Sequence, residues 1–401
     1  MKLPDAPWRH WTGMERLLDA LDTGGGSVRY VGGAVRDTLL GLDVQDIDCA
    51  TVFAPEETAS RLEAAGLKAI PTGIKHGTIT AVLPEKRTVE VTTLRRDVAT
   101  DGRHAEVEYT DNWQEDAARR DFTINALSAD PATGEIYDYF GGEKDLAARR
   151  VRFIGDPLGR IAEDHLRILR FFRFHARFGK GTPDVDGLAA CTARANDLMA
   201  LSRERIADEL LKMLALPDPG ETIALMIEHA IFAPVLPEIT DAAPLSRLIA
   251  REAGFAIEPH PVRRLAALLP PEPDIARDIA ARLKLSRAQR KRLATAAGRI
   301  PGDAATARPL AYRRGIESAL DRLLLCTAND IVVGNALESL AADPPPPFPL
   351  KGGQLIAMGV TEGPEVARLL HEIEDQWVAE GFPGEDRVRE IALQSIAPSS
   401  S

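Results

Sequence analysis

Val31-Gly-Gly-Ala-Val-Arg-Asp37, followed after a short gap by Asp46-Ile-Asp48, decides how this chain is read. The spacing predicts a strand over 27–31 that ends at Gly32-Gly33, then a helix over 35–40 ended by Gly41. A second strand is expected over 46–50. Residues two apart in a strand face the same side. Asp46 and Asp48 therefore aim at one point, while Ile47 and Cys49 face a core. Two converging carboxylates beside a glycine turn suit a divalent cation held next to a phosphate. Nucleotidyl transfer uses that combination.

Outward from this stretch, residues 1–150 read as mixed α and β. A helix over 55–65 closes at Gly66. Residues 77–83 and 88–93 alternate with period two and are β-branched, which predicts a hairpin turning at 84–86. In Val89-Glu90-Val91 the valines would pack inward and leave Glu90 on the polar face. Three oxygen-donor acids, Asp46, Asp48 and Glu90, suit Mg²⁺, which leans on substrate phosphates and keeps waters. Residues 96–112 are polar and read as a mobile loop carrying Asp101, Gly102, Arg103 and His104. Beyond 150 the apolar spacing becomes helical over 162–178, 204–214, 222–229, 261–299 and 316–342. Asp343-Pro-Pro-Pro-Pro-Phe-Pro349 is an extended break. A last helix is expected over 364–380, and residues 397–401 read as a frayed end.

Each piece alone has an ordinary reading. A glycine pair is often just a turn, and Asp37 would then tie that turn together. Asp-x-Asp is common on surfaces, Arg119-Arg120 would be an exposed pair ahead of an Asp121 helix cap, and a charged helical row is usually salt-bridged. The stretch Asp138–Asp145 reads as a structural turn into a helix. Glu163-Asp-His-Leu-Arg-Ile-Leu-Arg-Phe-Phe-Arg-Phe174 is harder to dismiss. On a continuous helix Glu163, Arg167, Arg170 and Phe174 form one stripe, with Asp164 beside Arg167 and Arg173 flanking the row. Ile168, Leu169, Phe171 and Phe172 make the rest of that helix strongly apolar, so its charges would line a cleft. Asp only accepts hydrogen bonds and Arg only donates. Cytosine and adenine both offer an amine donor next to a ring-nitrogen acceptor, whereas uracil and guanine offer the reverse. An Asp164–Arg167 pair would therefore accept C and A. A mismatch leaves buried polar groups unpaired, at about 1–3 kcal/mol each.

Taken together, the segments resemble the class II tRNA nucleotidyltransferase and poly(A) polymerase family. The likeness runs in order through Gly32-Gly33-Ala-Val-Arg36-Asp37 with Asp46-Ile-Asp48, Glu90 in Val-Glu-Val-Thr-Thr-Leu-Arg95, Arg119-Arg120-Asp121-Phe-Thr-Ile-Asn125-Ala, Asp138–Asp145, Glu163–Phe174 and Ser202–Leu210. The resemblance implies an α+β fold: a nucleotidyltransferase head with a mixed five-stranded sheet, then an all-helical neck, body and tail. The corresponding divisions are 1–150, 151–235, 236–343 and 344–401. It implies addition of C, C and A to the 3′ end of tRNA from CTP and ATP. By position, Asp46 and Asp48 would hold metal, Mg²⁺, with Glu90 as the third acid. Gly33 and Arg36 would contact the triphosphate. Arg120, Asp164, Arg167, Arg170 and Arg173 would bind the incoming nucleotide. The competing products within the family are poly(A), CC alone or A alone. Thr72-Gly-Ile-Lys-His-Gly-Thr78 replaces the arginine-rich segment of bacterial poly(A) polymerases, and the full loop near 95–112 speaks against CC-only addition. From another class, a non-catalytic RNA-binding relic would have no need of three intact acids.

Bulk properties bound these readings. The chain has 401 residues and a formal net charge of −11, which counts against indiscriminate nucleic-acid binding. Between Arg149 and Lys180, however, nine Arg or Lys stand against three acids. RNA binding would then be confined to a basic strip and be sensitive to salt. No apolar run approaches the roughly 18 residues of a membrane span, and the first ten residues lack a signal-peptide core. Three distant cysteines, Cys49, Cys191 and Cys326, fit a reducing cytoplasm rather than a disulfide framework. The eight histidines include no H-x-x-x-H and no His-Asp pair, so neither a histidine metal site nor an attached phosphohydrolase is expected.

Overall fold

The computed structural model describes residues 2–74, 77–100, 105–361 and 363–396. The chain divides into two compact units, Met1–Pro237 and Glu238–Ser401.

The first unit is built on a mixed sheet. Its strands are β1 (Val28–Val31), β2 (Ile47–Thr51), β3 (Lys68–Gly73), β4 (Thr78–Val82), β5 (Thr88–Thr93), β8 (Ser128–Ala129) and β9 (Ile136–Tyr137), in the order β3-β4-β5-β2-β1-β8-β9. Only β2 and β5 run parallel. Their crossover passes through the helix Pro55–Ala64 and the β3–β4 hairpin. The alternation of β5 works as expected: Val89 and Val91 are buried and Glu90 is exposed. Seven strands stand where five were expected. Five have four to six residues, and β8 and β9 have only two each, too short for periodicity to reveal.

The expected loop over 96–112 is instead a two-stranded antiparallel ribbon, β6 (Arg95–Thr100) with β7 (Ala105–Tyr109). Its cross-strand pair Arg96–Glu108, 2.8 Å apart, shows why. Charged partners stabilise a ribbon without the apolar alternation that announces a strand. Asp101, Gly102, Arg103 and His104 lie outside the described residues, as do Lys75 and His76 of the 72–78 segment.

The helix expected over 162–178 is broken. One helix, Pro157–Glu163, ends at Asp164, whose backbone is extended (φ −151°, ψ 106°). The next runs Arg167–Phe178. Asp164 Oδ1 accepts the Leu166 N–H at 3.1 Å. Such a side chain competes with helical hydrogen bonding and restarts the chain in a new direction. Phe171, Phe172, Phe174 and Phe178 are buried as expected. Phe171 stacks on Phe153 with ring centroids 5.5 Å apart, and Phe174 meets Phe122 at 5.3 Å. Each buried phenyl contributes on the order of 1.5–3 kcal/mol. This aromatic cluster fixes the arginine-bearing helix against the Phe122 and Phe153 segments. Helices Val185–Ala193, Arg203–Leu214 and Gly220–Glu228 complete the unit.

The second unit is helical. Its first part holds a buried charge network: Glu252 bonds Arg263 and Arg264, and Asp321 bonds Arg263 and Arg292. A small apolar core packs Leu310, Leu323 and Leu340, and a separate one surrounds Trp377. The proline run is without regular structure. The expected last helix is found at Gly363–Ala379, and a further helix, Glu385–Ile396, follows it. Among the described residues no helix is long and apolar enough to cross a membrane. All three cysteines are free and buried.

Candidate active site

In the first unit a cavity of about 570 Å³ is lined by Gly32, Gly33, Arg36, Asp46, Asp48, Arg120, Asp121, Asn125, Asp164, Arg167, Arg170, Arg173 and Phe174. It thus gathers residues that the sequence spreads over 140 positions. Gly32 has φ +65°, a left-handed conformation that favours glycine. A Cβ there would also lie 3.0 Å from the Arg120 guanidinium. Gly33 then opens the helix Gly33–Leu39.

Asp48 lies in β2, and Asp46 immediately precedes the strand. Ile47 and Cys49 are buried, as the alternation requires. The parallel register sets Asp48 directly beside Glu90 of β5. Burial, then the charge of Glu90, pushes the Asp48 carboxyl up to about 6, against the pull of Arg120. Glu90 itself is exposed and outside the cavity lining. Among the described residues no three His, Cys, Asp or Glu side chains converge closely enough to hold a metal. The three expected acids therefore form a lining pair plus a neighbour.

The remaining lining charges are tied in pairs. Asp121 accepts from Arg170 at 2.7 Å and from Asn125 at 2.9 Å. Burial works to raise its carboxyl, but Arg170 and Asn125 outweigh burial and hold it below the ordinary range. Arg173 donates to Glu209 at 2.6 Å. Arg120 pairs with Asp116 at 3.2 Å. Arg36 is buried, donates to Asp37 at 2.7 Å and bonds Asn125. Asp37 also takes Arg177 at 3.1 Å, which ties it to the distant Arg167–Phe178 helix rather than to the glycine turn. Asp138 caps the backbone N–H groups of Phe140, Gly142 and Glu143, again structural. Phe174 forms a common platform: the Arg36, Arg170 and Arg173 guanidiniums lie 5.3, 5.2 and 4.5 Å from its ring centroid.

Asp164 and Arg167 both line the cavity, but the helix break keeps them from pairing with each other. Asp164 Oδ2 accepts from Arg205 at 2.7 Å. Arg167 donates to Glu163 at 2.5 Å, to the Arg160 carbonyl at 2.7 Å and to the Arg119 carbonyl at 3.3 Å. Asp46 and Asp48 differ from every other lining carboxylate. Among the described residues neither has a hydrogen-bond or ion-pair partner, while Asp121 and Asp164 each have an arginine. Asp46 and Asp48 are therefore the lining residues that could hold a cation, since their oxygen donors suit a hard ion such as Mg²⁺ when phosphate and water supply the other ligands.

Arg205 and Glu209 were not singled out as site residues from the sequence, and Phe174 was placed on the cleft stripe without a role. Arg205 and Glu209 lie in the Ser202–Leu210 motif, but nothing in a linear reading says that its helix faces Asp164 and Arg173.

Residues 28–152 match the family described as the poly A polymerase head domain, and residues 184–243 the probable RNA and SrmB-binding site of polymerase A. A Danio rerio protein named CCA tRNA nucleotidyltransferase 1, mitochondrial, is 38% identical over 87% of this chain and 83% of its own. The Homo sapiens protein of the same name is 35% identical over 92% of this chain and 87% of its own. A Bacillus stearothermophilus CCA-adding enzyme, solved in complex with CTP, superposes with a TM-score of 0.74 at 26% identity, covering 95% of this chain and 97% of that one.

Proposed function

The chain belongs to the CCA tRNA nucleotidyltransferase family, and from that premise we propose how its cleft works. It adds C, C and A to the 3′ end of tRNA from CTP and ATP without a nucleic-acid template. The terminal ribose 3′-hydroxyl attacks the α-phosphate in line. A P–O bond forms to the incoming nucleotide, the bond to the β-phosphate bridge breaks, and pyrophosphate leaves. The observation that carries this reading is the unpaired Asp46 and Asp48 in the same cavity as Asp164 and Arg167.

Asp46 and Asp48 would hold a divalent cation, Mg²⁺ by the chemistry of their oxygen donors, which when bound neutralises charge on the attacking and leaving oxygens. Glu90 acts through its charge on Asp48. The Gly32-Gly33 turn lets the triphosphate approach the backbone, with Gly33, Arg36 and Arg120 as its contacts. Arg170 and Arg173, held by Asp121 and Glu209, line the rest of the nucleotide site. Each carboxylate oxygen has two lone pairs, so Asp164 can still accept an exocyclic amine beside Arg205 and Leu166. Arg167 has five N–H donors and spends three on Glu163, Arg160 and Arg119. The rest can meet a ring nitrogen. The two residues thus read one base as separate anchors.

We assign residues 1–150 to a catalytic head, 151–235 to a base-reading neck, 236–343 to a body and 344–401 to a tRNA-binding tail. The separate apolar cores around Leu323 and Trp377 support the last division. Cytoplasmic placement rests on the three free cysteines, while the similar vertebrate proteins carry mitochondrial names.

The test is sequencing of the products made from tRNA lacking its 3′ end, with CTP, ATP and Mg²⁺. Transcripts ending in CCA are expected. Endless A without C, or arrest after CC, would assign a different product. Asp46→Ala should abolish incorporation while leaving tRNA binding intact, and unchanged incorporation would overturn the metal assignment.

A further inference from the structure

In a chain of net charge −11, residues 279–302 contain seven Arg or Lys and no Asp or Glu. The centre of this stretch is Ser286-Arg-Ala-Gln-Arg-Lys-Arg292, which begins the helix Arg287–Ala297 of the second unit. Ser286 caps the helix through a capping box with Gln289. Leu293, Ala296 and Ala297 pack inward, and Arg292 is paired with Asp321 at 2.7 Å. Arg287, Arg290 and Lys291 have i, i+3, i+4 spacing, so they share one face of the helix, and all three are exposed. Among the described residues none of the three has a carboxylate partner.

What sets the strip apart is its clustering on one helix face, because most other arginines of this unit are paired. Arg282 pairs with Glu238, Arg322 with Asp303, Arg368 with Glu365 and Glu372, and Arg387 with Glu380. The placement is also unfavourable for the helix itself. The first turn carries cations and no acid, opposite to what the helix dipole favours. A row of cations that neither pairs with acids nor suits its own helix is better explained by an external polyanion. Spacing of about 5–6 Å between neighbours on a helix face is comparable to phosphate spacing along a nucleic-acid strand. Contact with a phosphate backbone needs only positive charge at such intervals.

We propose that Arg287, Arg290 and Lys291 form a docking strip for the sugar–phosphate backbone of tRNA. The proposal rests on the reading of the chain as a tRNA-extending enzyme and adds the place where the helical half grips its substrate. Contacts of this kind release counterions, so they appear as a salt dependence of binding.

The experiment compares the full chain with its Arg287→Gln/Arg290→Gln/Lys291→Gln variant, measuring tRNA binding by fluorescence anisotropy between 50 and 200 mM salt. The variant should weaken binding roughly tenfold or more, and the slope of log K against log salt should become shallower by about two to three. KM for tRNA should rise while KM for CTP stays unchanged. Gln is a good helix former, and removing cations from the first turn should leave the melting temperature unchanged or higher. A control, Arg61→Gln/Arg87→Gln/Arg277→Gln, makes the same change in net charge at arginines that are already paired and lie outside the tail, and it should bind as the unaltered chain does. Equal binding and slope in the strip variant would overturn the proposal and leave the strip to an acidic protein partner. An equal effect in the control would overturn it in favour of net charge. If the strip variant loses affinity and slope as expected but the unaltered chain never extends tRNA, the strip stands and the catalytic reading fails.

Discussion

Asp164 shows how much one side chain's partner matters. A linear reading sets it against Arg167, yet its carboxylate is held by Arg205 at 2.7 Å and by the Leu166 N–H. On the proposed reading of Asp164 as a base anchor, Arg205 is a positioning residue that keeps its acceptor edge in one orientation. Arg205→Met should lower the preference for CTP over UTP by roughly ten- to a hundredfold, the equivalent of about 1–3 kcal/mol for a misplaced hydrogen-bond partner. Arg205→Lys should restore part of that preference, because it keeps a charged donor. Competition assays with CTP and UTP on tRNA lacking its end give the ratio directly. An unchanged ratio would reduce Arg205 to a surface ion pair. Arg167→Ala should lower discrimination in the same assay, since it removes the donors that Glu163, Arg160 and Arg119 leave unspent.

At the scale of elements, short connections do the positioning. The turn Thr123–Asn125 carries Asn125, which bonds both Arg36 and Asp121. That turn is backed by the helix Gly142–Ala147, where Asp145 takes the Thr123 hydroxyl at 2.7 Å. Gly142 has no room for a side chain, since a Cβ would lie 2.3 Å from the Thr123 carbonyl oxygen. Gly142→Ala should therefore cost about 1–3 kcal/mol by overpacking and push the Asn125 turn out of place. Thermal unfolding should show the loss and CTP binding should weaken with it. A variant as stable as the parent would mean that the two segments separate freely. The residue identities of these turns are plain in the sequence, and so was the turn-into-helix role of 138–145. Their mutual approach was not, because it depends on which faces meet.

At the scale of the molecule, the second unit depends on charges in its core. Arg263 and Arg264 are 2% and 1% exposed, and both bond Glu252. Glu252→Ala would leave two buried guanidiniums short of a partner, at a cost of about 3–5 kcal/mol. Calorimetry should show an earlier transition for residues 238–401, with that of residues 1–237 in place. A single unshifted transition would contradict the assignment. Here the division of labour between sequence and tertiary structure is clear. The glycine turn, the Asp46/Asp48 pair, the β4–β5 hairpin, the apolar face of 167–178 and the change from mixed to helical structure near residue 150 follow from local periodicity and residue chemistry. Those properties are carried by neighbours in the chain, so the sequence alone determines them. Only the tertiary structure decided that Asp164 turns to Arg205, that Glu90 flanks the cavity without lining it, that the polar stretch after residue 95 pairs as a ribbon, and that Glu209 anchors Arg173. Each of these depends on which distant charge or strand edge lies within about 3 Å once apolar faces have packed, and no spacing rule along the chain carries that information.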